Sequence, residues 1–212
     1  MSKFKSMSDD YLRNTYVPDV YQKDIYAIDY LKLKAHGIKC ISFDIDDTIT
    51  GLENAILPNS KPPKAAITLF EKLKAAGFVV ILLTNTHDDR GRRFCKILGA
   101  NGYIARAKKP RTDNFRKILD DYGLEKSQIA HVGDSISNDV AGGNTFGIVT
   151  CLVRRVGALQ AIGGKFVTTE GQKLRKELKS RGLWRKHHKN DRNDQYYQLG
   201  ETPKYLQRVY NN

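Results

Sequence analysis

The sequence predicts an α/β fold in which a parallel, doubly wound sheet carries helices on both faces. Short apolar runs alternate along the chain with longer segments of helical periodicity, which implies right-handed crossovers between parallel strands. The run 78–83 is apolar throughout, as is typical of a central parallel strand covered on both sides. Four helical patterns stop at a residue that commonly ends helices, namely Gly37, Gly77, Gly99 and Gly123.

The individual elements follow from these patterns in chain order. Residues 1–24 are polar with scattered aromatics and no period, which indicates either an arm laid on the domain or disorder, and 25–28 indicates a short extended piece. The helical patterns are 30–36 with Asp29 as its N-cap, 62–76, 88–98, 115–122 and 137–144. The predicted sheet has five strands, at 38–43, 78–83, 103–104, 129–132 and 148–153.

Composition narrows the classes of function. The 212 residues include 36 Lys and Arg against 23 Asp and Glu, and the net charge of +13 attracts polyanions such as phosphorylated ligands, nucleic acid or an anionic membrane. The cysteines have no metal-binding or redox spacing, and Cys40 and Cys151 are expected to be buried hydrophobes. No apolar segment follows the N-terminus and the longest apolar run is too short to span a bilayer, so we expect a cytoplasmic protein.

The first predicted strand ends in the motif Phe43-Asp44-Ile45-Asp46-Asp47-Thr48. Where the chain turns after the strand, the carboxylates of Asp44 and Asp46 can reach one small volume. Two like charges that close need compensation, and carboxylate oxygens are preferred ligands of Mg²⁺. Taken alone, the motif fits a Ca²⁺ site or a helix cap equally well, so it leaves a structural role open.

Further polar side chains follow the later strands. In an open parallel sheet, ligands bind beyond the C-terminal ends of the strands. The residues at those ends are Thr84, Asn85, Lys109, Asp134 and, five positions on, Asp139. With the first motif they supply a carboxylate nucleophile, a second acid, groups that hold phosphoryl oxygens, a cation and metal-binding carboxylates. Phosphoryl transfer requires a set of this kind.

On these residues, the chain resembles the haloacid dehalogenase (HAD) superfamily of aspartate-nucleophile phosphatases. Four motifs carry the resemblance, namely Asp44-Ile45-Asp46-Asp47-Thr48, Thr84, Lys109, and Gly133-Asp134 with Asp139. The resemblance covers about residues 25–156 and implies a three-layer, Rossmann-like HAD fold. Residues 25–37, Lys109-Pro110 and 131–144 are similar to subfamily IIIA, whose best-known branch resembles phosphatidylglycerophosphate phosphatases.

The resemblance implies a role for each residue. Asp44 attacks phosphorus to form an aspartyl-phosphate, and Asp46 protonates the leaving oxygen and then helps to deprotonate water. Mg²⁺ is the implied cofactor, held by carboxylates of Asp44 and Asp134 and by the backbone carbonyl of Asp46. Asp139 orients the lysine or a metal-bound water. The implied substrate-binding residues are Thr84, Asn85 and Lys109.

Several of these residues also have structural interpretations. These are a helix N-cap for Thr84, a turn residue for Asp134 and a helix-start acid for Asp139. Lys108 is an alternative to Lys109 as the phosphate ligand, although Lys109 directly precedes proline, as in the family pattern. His131 is expected in the core rather than in catalysis, and residues 88–90 are expected to form a solvated helix start.

No cap domain is expected over the site. About a dozen residues separate Thr48 from the helix at Pro62, and the 24 positions between Thr84 and Lys109 are already filled by a helix and a strand. An open site suits large substrates such as a lipid headgroup on a surface, a nucleic-acid end or a phosphoprotein. A partner subunit acting as the lid would also allow a small substrate.

The C-terminal extension is basic, with 12 Lys and Arg against 5 Asp and Glu in 165–212. Its part 165–192 suits contact with anionic lipid, and the later tyrosines interleaved with basic residues suit single-stranded RNA. The simpler alternative is a solvated helix whose few apolar residues, Leu174 and Leu178, dock on the core. Residues 183–184 are expected to point away from that leucine stripe.

We therefore predict an N-terminal arm 1–24, a HAD phosphatase core 25–164 and a basic C-terminal extension 165–212. The predicted function is Mg²⁺-dependent hydrolysis of phosphatidylglycerophosphate or another membrane-presented phosphomonoester, which would bring the protein to the inner face of the membrane. One alternative is a phosphatase for soluble sugar or nucleotide phosphates with a lid from oligomerisation. Another is a nucleic-acid-associated protein that uses the basic tail.

Overall fold

A parallel six-stranded sheet forms the centre of the computed structural model, which describes residues 3–51, 57, 60–157 and 169–184. The strands are β1 Val20–Gln22, β2 Cys40–Phe43, β3 Val79–Leu83, β4 Gly102–Ile104, β5 Ile129–Gly133 and β6 Val149–Val153. Their order across the sheet is β1-β6-β5-β2-β3-β4, and every neighbouring pair is parallel. The α/β fold class with a parallel sheet is confirmed, and the strands β2 and β5 lie side by side at its centre.

The predicted count of five strands is wrong, because the segment taken as an N-terminal arm contributes a sixth. Strand β1 pairs with β6, with Val20 opposite Cys151. Asp19 fixes the start of this pairing by accepting a hydrogen bond from the Thr150 backbone N–H at 2.9 Å. A strand of three residues is too short to show the alternation that identifies strands in a sequence.

Helices cover both faces of the sheet. They are α1 Asp9–Tyr16, α2 Tyr30–Ala35, α3 Lys64–Ala75, α4 Asp88–Leu98, α5 Asp113–Tyr122, α6 Ala141–Phe146 and α7 Thr169–Ser180, with 3₁₀ turns at Lys3–Ser6 and Lys126–Gln128 and a π-helical turn at Ile136–Val140. Apolar residues of α2, α3 and α4 pack on one face of the sheet, and those of α5 and α6 pack on the other. Cys40 and Cys151 are buried in β2 and β6, as predicted.

The segment 25–28 forms a turn, not the extended piece that was predicted. The carboxylate of Asp24 accepts hydrogen bonds from the backbone N–H groups of Tyr26 and Ala27, each at 2.9 Å. This local pairing satisfies the backbone donors within the turn, so the apolar residues there do not join the sheet.

The N-terminal segment and α7 share a hydrophobic cluster on the sheet. Leu174 and Leu178 of α7 are fully buried, and the cluster also contains Leu12 of α1. Leu183 joins the same cluster with Trp184 packed against it, so the expectation that these two residues point away from the leucine stripe is wrong. The reason is Gly182, whose positive φ of 67° turns the chain back after the helix. The docking alternative for the helix is therefore the one observed.

The chain between the second and third motifs contains only α4 and β4, so no cap domain is inserted there. The short connection from β2 to α3 also leaves no room for one, although 52–56 and 58–59 lie outside the described residues. Within the described ranges, no helix combines the length and apolar character needed to cross a membrane. The predicted boundary at 164 and the basic and aromatic residues of 185–212 likewise lie outside the described residues.

Candidate active site

The C-terminal ends of β2 and β5 bring the first and fourth motifs together. Asp44 directly follows β2, and its backbone N–H donates to the carbonyl of Val132 in β5 at 2.9 Å. Asp134 directly follows β5. Carboxylate oxygens of Asp44, Asp134 and Asp139 lie within 4.8 Å of one another, and all three residues are buried. Parallel pairing of the two central strands therefore creates a compact acidic cluster.

Lys109 supplies the cation of this cluster. Its Nζ lies 2.8 Å from an oxygen of Asp44 and 2.6 Å from Oδ1 of Asp139. Its backbone N–H donates to the side-chain oxygen of Asn85 at 2.8 Å, which fixes the loop that carries it. Lys108 is exposed, so the lysine at the carboxylates is Lys109 and not the alternative.

Burial and mutual charge set the protonation of the cluster. Burial raises the pKa of Asp44 against the opposing attraction of Lys109. Burial and the charge of Asp139 raise the pKa of Asp134 to about 7, although Arg155 opposes this. Burial acts to raise the pKa of Asp139 too, but the charge of Lys109 and the hydrogen bond from His131 outweigh it and hold that pKa below its ordinary value. Lys109 and Arg155 together thus compensate only part of the negative charge of the three carboxylates.

Asp139 is held by hydrogen bonds at both carboxylate oxygens. Oδ1 contacts Lys109 and lies 3.1 Å from Nε2 of His131, while Oδ2 accepts from the backbone N–H of Ser135 at 2.9 Å. The other ring nitrogen of His131 lies 2.9 Å from the hydroxyl of Ser42, its partner in the β2–β5 register. His131 is buried as predicted, yet it also touches a motif residue.

Gly133 allows Asp139 to come this close to the strand. A Cβ at position 133 would lie 2.2 Å from the Cγ of Asp139, well inside contact distance. The π-helical turn that follows β5 carries Asp139 back over this glycine. In the Gly-Asp pair of the fourth motif, Gly133 thus leaves room for the Asp139 side chain, and Asp134 supplies a carboxylate to the cluster.

Asp134 and Asp46 are each paired with an arginine that the sequence analysis did not assign to the site. Arg155 Nε donates to Oδ2 of Asp134 at 2.6 Å. Arg90 donates to one oxygen of Asp46 from Nε at 3.1 Å and from Nη2 at 2.8 Å. Arg90 also bonds the Ser60 hydroxyl at 2.5 Å and is only 5% exposed. The expectation of a solvated helix start therefore fails at Arg90, because α4 turns this position toward the site.

Thr84 and Thr48 lie at the same edge of the sheet as the acidic cluster. Thr84 follows β3 and is buried, and its hydroxyl accepts from the Thr86 backbone N–H at 3.3 Å, a local bond before α4 begins. The hydroxyl of Thr48 lies 3.5 Å from Oδ1 of Asp134. Among the missed residues, Arg155 carried a usable signal, because it follows β6 at the same edge of the sheet.

The donor set suits a hard divalent cation. Buried carboxylate oxygens within 4.8 Å of each other repel, and burial together with this repulsion raises the pKa of Asp134. An Mg²⁺ ion prefers oxygen ligands of this kind. Both oxygens of Asp139 have partners within 3.1 Å, whereas among the described residues Oδ1 of Asp134 has only the longer contact of 3.5 Å with the Thr48 hydroxyl. Asp134, together with Asp44, is therefore the better placed ligand.

Known proteins are similar to this chain over most of its length. Residues 52–147 match the family model described as haloacid dehalogenase-like hydrolase. The probable phosphatase YqeG of Bacillus subtilis is 30% identical over 171 residues, which make up 81% of this chain and 96% of that protein. This chain belongs to the haloacid dehalogenase-like hydrolases. It is a phosphatase of that HAD family, as the four motifs predicted.

This HAD phosphatase is also similar to proteins of other organisms. Phosphatidylglycerophosphate phosphatase 1, chloroplastic/mitochondrial, of Arabidopsis thaliana is 29% identical over 150 residues, or 66% of this chain and 41% of that protein. Among solved structures, the 3-deoxy-D-manno-octulosonate 8-phosphate phosphatase of Moraxella catarrhalis, in complex with magnesium, phosphate and KDO, aligns with 51% of this chain and 64% of that one. Its sequence identity is 21% and its TM-score is 0.43.

Proposed function

We propose that this protein is a Mg²⁺-dependent phosphomonoester hydrolase that works through an aspartyl-phosphate on Asp44. The observation that carries the proposal is the buried cluster in which Lys109 lies between Asp44 and Asp139, next to Asp134. A carboxylate nucleophile is repelled by a phosphate dianion, so it works only where fixed positive charge offsets that repulsion. Lys109 supplies such charge at the nucleophile itself.

The reaction has two displacements at phosphorus. An oxygen of Asp44 bonds to phosphorus as the bond to the leaving oxygen breaks, and protonated Asp46 gives its proton to that oxygen. Asp46 then takes a proton from water as the water oxygen bonds to phosphorus and the Asp44–phosphorus bond breaks. Lys109, Thr84 and Asn85 hold phosphoryl oxygens, and Asp139 positions the Lys109 ammonium.

A bound Mg²⁺ would screen the negative charge of nucleophile and phosphate from each other. The groups proposed to hold it are the carboxylates of Asp44 and Asp134 and the backbone carbonyl of Asp46. Thr48 and Arg155 position the Asp134 carboxylate through the contacts described above. A bound metal would also supply positive charge that offsets the remaining negative charge of the three carboxylates.

The proposed substrate is phosphatidylglycerophosphate or another phosphomonoester presented at a membrane surface. Two facts support it, namely the name of the Arabidopsis relative and the absence of a cap between the second and third motifs. Contact of 169–184 with anionic lipid would be electrostatic, because the leucines of α7 are buried while Lys173, Lys176 and Lys179 are exposed. This predicts salt-sensitive attraction rather than insertion.

The test is Mg²⁺-dependent phosphate release from phosphatidylglycerophosphate in mixed micelles, with soluble sugar and nucleotide phosphates in parallel. We expect a strong preference for the lipid and loss of release in Asp44→Asn, which keeps the size of the side chain but removes the nucleophile. Release from soluble esters alone would retain the chemistry and overturn the lipid assignment. Salt-sensitive RNA binding without Asp44-dependent release from any ester would favour the nucleic-acid alternative.

A further inference from the structure

A cavity of about 440 Å³ opens beside Asp134 and is not used by the proposed displacements. Its volume falls in the range of about 300–1,000 Å³ that is usual for small-ligand pockets. Three parts of the chain wall it: the turn after β5, the end of β6 and the first turns of α7, with Tyr21 of β1 at one side. The lining residues are Tyr21, Asp134, Ser135, Ile136, Ser137, Arg154, Arg155, Gly171, Gln172 and Arg175.

The lining is strongly basic. It contains three arginines, and its one acidic residue, Asp134, is already paired with Arg155. In the ranges that the structure describes, no ion pair involves Arg154 or Arg175. The Arg175 guanidinium lies 5.0 Å from the centre of the Trp184 ring, a contact that fixes it without neutralising it. Two guanidinium groups from different elements therefore face the cavity with their charge uncompensated.

The cavity borders the reaction site, because Asp134 both lines the cavity and belongs to the acidic cluster. A substrate whose phosphomonoester lies at Asp44 can extend past Asp134 toward the arginines. A guanidinium matches the geometry of phosphate oxygens and forms paired, charge-assisted hydrogen bonds with them. The hydroxyls of Ser135 and Ser137 add neutral polar groups along the same wall.

We propose that Arg154 and Arg175 bind a second phosphate group of the same substrate molecule whose phosphomonoester is hydrolysed at Asp44. The inference rests on the proposed function and names its substrate class: a phosphomonoester joined by a short linker to a second, retained phosphate. A lipid headgroup and the corresponding free, deacylated compound both present this chemistry. The helix α7 thereby serves as a specificity wall of the site.

The experiment compares substrates that differ in the second phosphate. Glycerophosphoglycerophosphate carries two phosphates, glycerol 3-phosphate carries one, and phosphatidylglycerophosphate in mixed micelles carries two on a lipid. We expect Arg154→Gln and Arg175→Gln each to lower kcat/KM about tenfold for both two-phosphate substrates, and less than about twofold for glycerol 3-phosphate, because one charge-assisted contact is lost. The matched control is Lys72→Gln, which removes an exposed charge of α3 outside both the cavity wall and the segment 169–184.

Binding to Asp44→Asn protein separates this inference from the proposed function. If no ester is hydrolysed, the Kd of that protein for glycerophosphoglycerophosphate still decides, and we expect it to rise about tenfold in the two arginine variants only. Equal losses on the one-phosphate and two-phosphate compounds, or no difference from Lys72→Gln, would overturn the subsite. Losses confined to the micellar lipid would overturn it in favour of surface contact. Because Arg154 directly follows β6 and is not part of α7, its variant decides even if Arg175→Gln unfolds α7.

Discussion

Asp46 is the motif residue whose surroundings differ most from what its motif alone suggests. A general acid must reach the leaving oxygen in the first displacement, yet two N–H groups of Arg90 donate hydrogen bonds to one and the same oxygen of Asp46. The other carboxylate oxygen of Asp46 takes no part in these two hydrogen bonds. Arg90 is thus a positioning residue for Asp46, fixed in turn by Ser60 and by stacking 4.6 Å from the centre of the Phe94 ring.

Arg90→Lys tests this positioning. Lysine keeps the charge but cannot hold the Asp46 oxygen and the Ser60 hydroxyl with the same planar fork. We expect kcat to fall about tenfold with KM changed less than twofold, since the loss is in orientation of the proton donor and not in binding. Arg92→Lys is the control, because Arg92 is exposed and pairs with Asp88 and Asp89 on the outer face of α4. Identical kinetics in the two variants would contradict the role.

Gly133→Ala tests the space requirement of the fourth motif. The added methyl would displace the Asp139 carboxylate and with it the partner of Lys109. We expect kcat to fall at least about tenfold while circular dichroism still shows the α/β fold, because strand geometry tolerates alanine. The control is Gly102→Ala, where a Cβ meets only the ends of the Tyr122 and Ile81 side chains, at 3.1 and 3.4 Å. Full activity in Gly133→Ala would show that Asp139 need not occupy its present position.

At the scale of elements, α7 is a structural helix of the phosphatase and not a free tail. Its leucines fill a cluster with α1 and the π-helical turn, and Arg181 donates to the backbone carbonyl of Met7 at 2.8 Å. Residues 169–184 are therefore held against the N-terminal segment. This docking also places Arg175 at the cavity beside Asp134.

Leu174→Ala measures the strength of that docking. Leu174 is fully buried, and truncating a buried leucine costs about 2–5 kcal/mol of unfolding free energy through lost transfer energy and a residual cavity. We expect a loss of about 3 kcal/mol in urea unfolding, against less than about 0.5 kcal/mol for Lys173→Ala on the exposed face. If the urea midpoints of both variants equal that of the wild type, the stability of the protein does not depend on the packing of α7 in this cluster.

At the scale of the whole molecule, the acidic cluster links stability to pH and metal. Asp134 has a pKa raised to about 7 in the fold against an ordinary value of about 3.9 in an unfolded chain, so the folded state holds the proton more tightly. Its contribution is then complete below about pH 4 and is lost as pH rises through about 7. With a chelator present to remove metal, we expect the melting temperature of the wild type to fall relative to that of Asp134→Asn as the pH rises through about 7.

Metal binding should reverse this trend. Mg²⁺ requires the deprotonated carboxylate, so its stabilising effect on wild type should be larger at pH 8 than at pH 5 and small in Asp134→Asn. Differential scanning calorimetry of both proteins, with and without Mg²⁺ at each pH, measures this stabilising effect as a shift in melting temperature. A difference between the two proteins that is independent of pH would show that Asp134 does not titrate in this range.

The strand–helix alternation, the HAD family and the motif residues at the strand ends can all be predicted from the sequence. These features are local, since an apolar run predicts a buried strand and a parallel sheet gathers the residues that follow its strands. The sequence could also favour Lys109 over Lys108, because the proline that follows is adjacent in the chain.

The contacts that each of these residues makes can be seen only in the tertiary structure. The pairs Arg90–Asp46 and Arg155–Asp134 join positions 44 and 21 residues apart, and β1 pairs with a strand about 130 residues later. Such partners depend on how α4, β6 and the N-terminal segment pack, and no periodicity in the sequence records that packing. The same holds for α7, whose leucines could equally have met a membrane and instead meet Leu12.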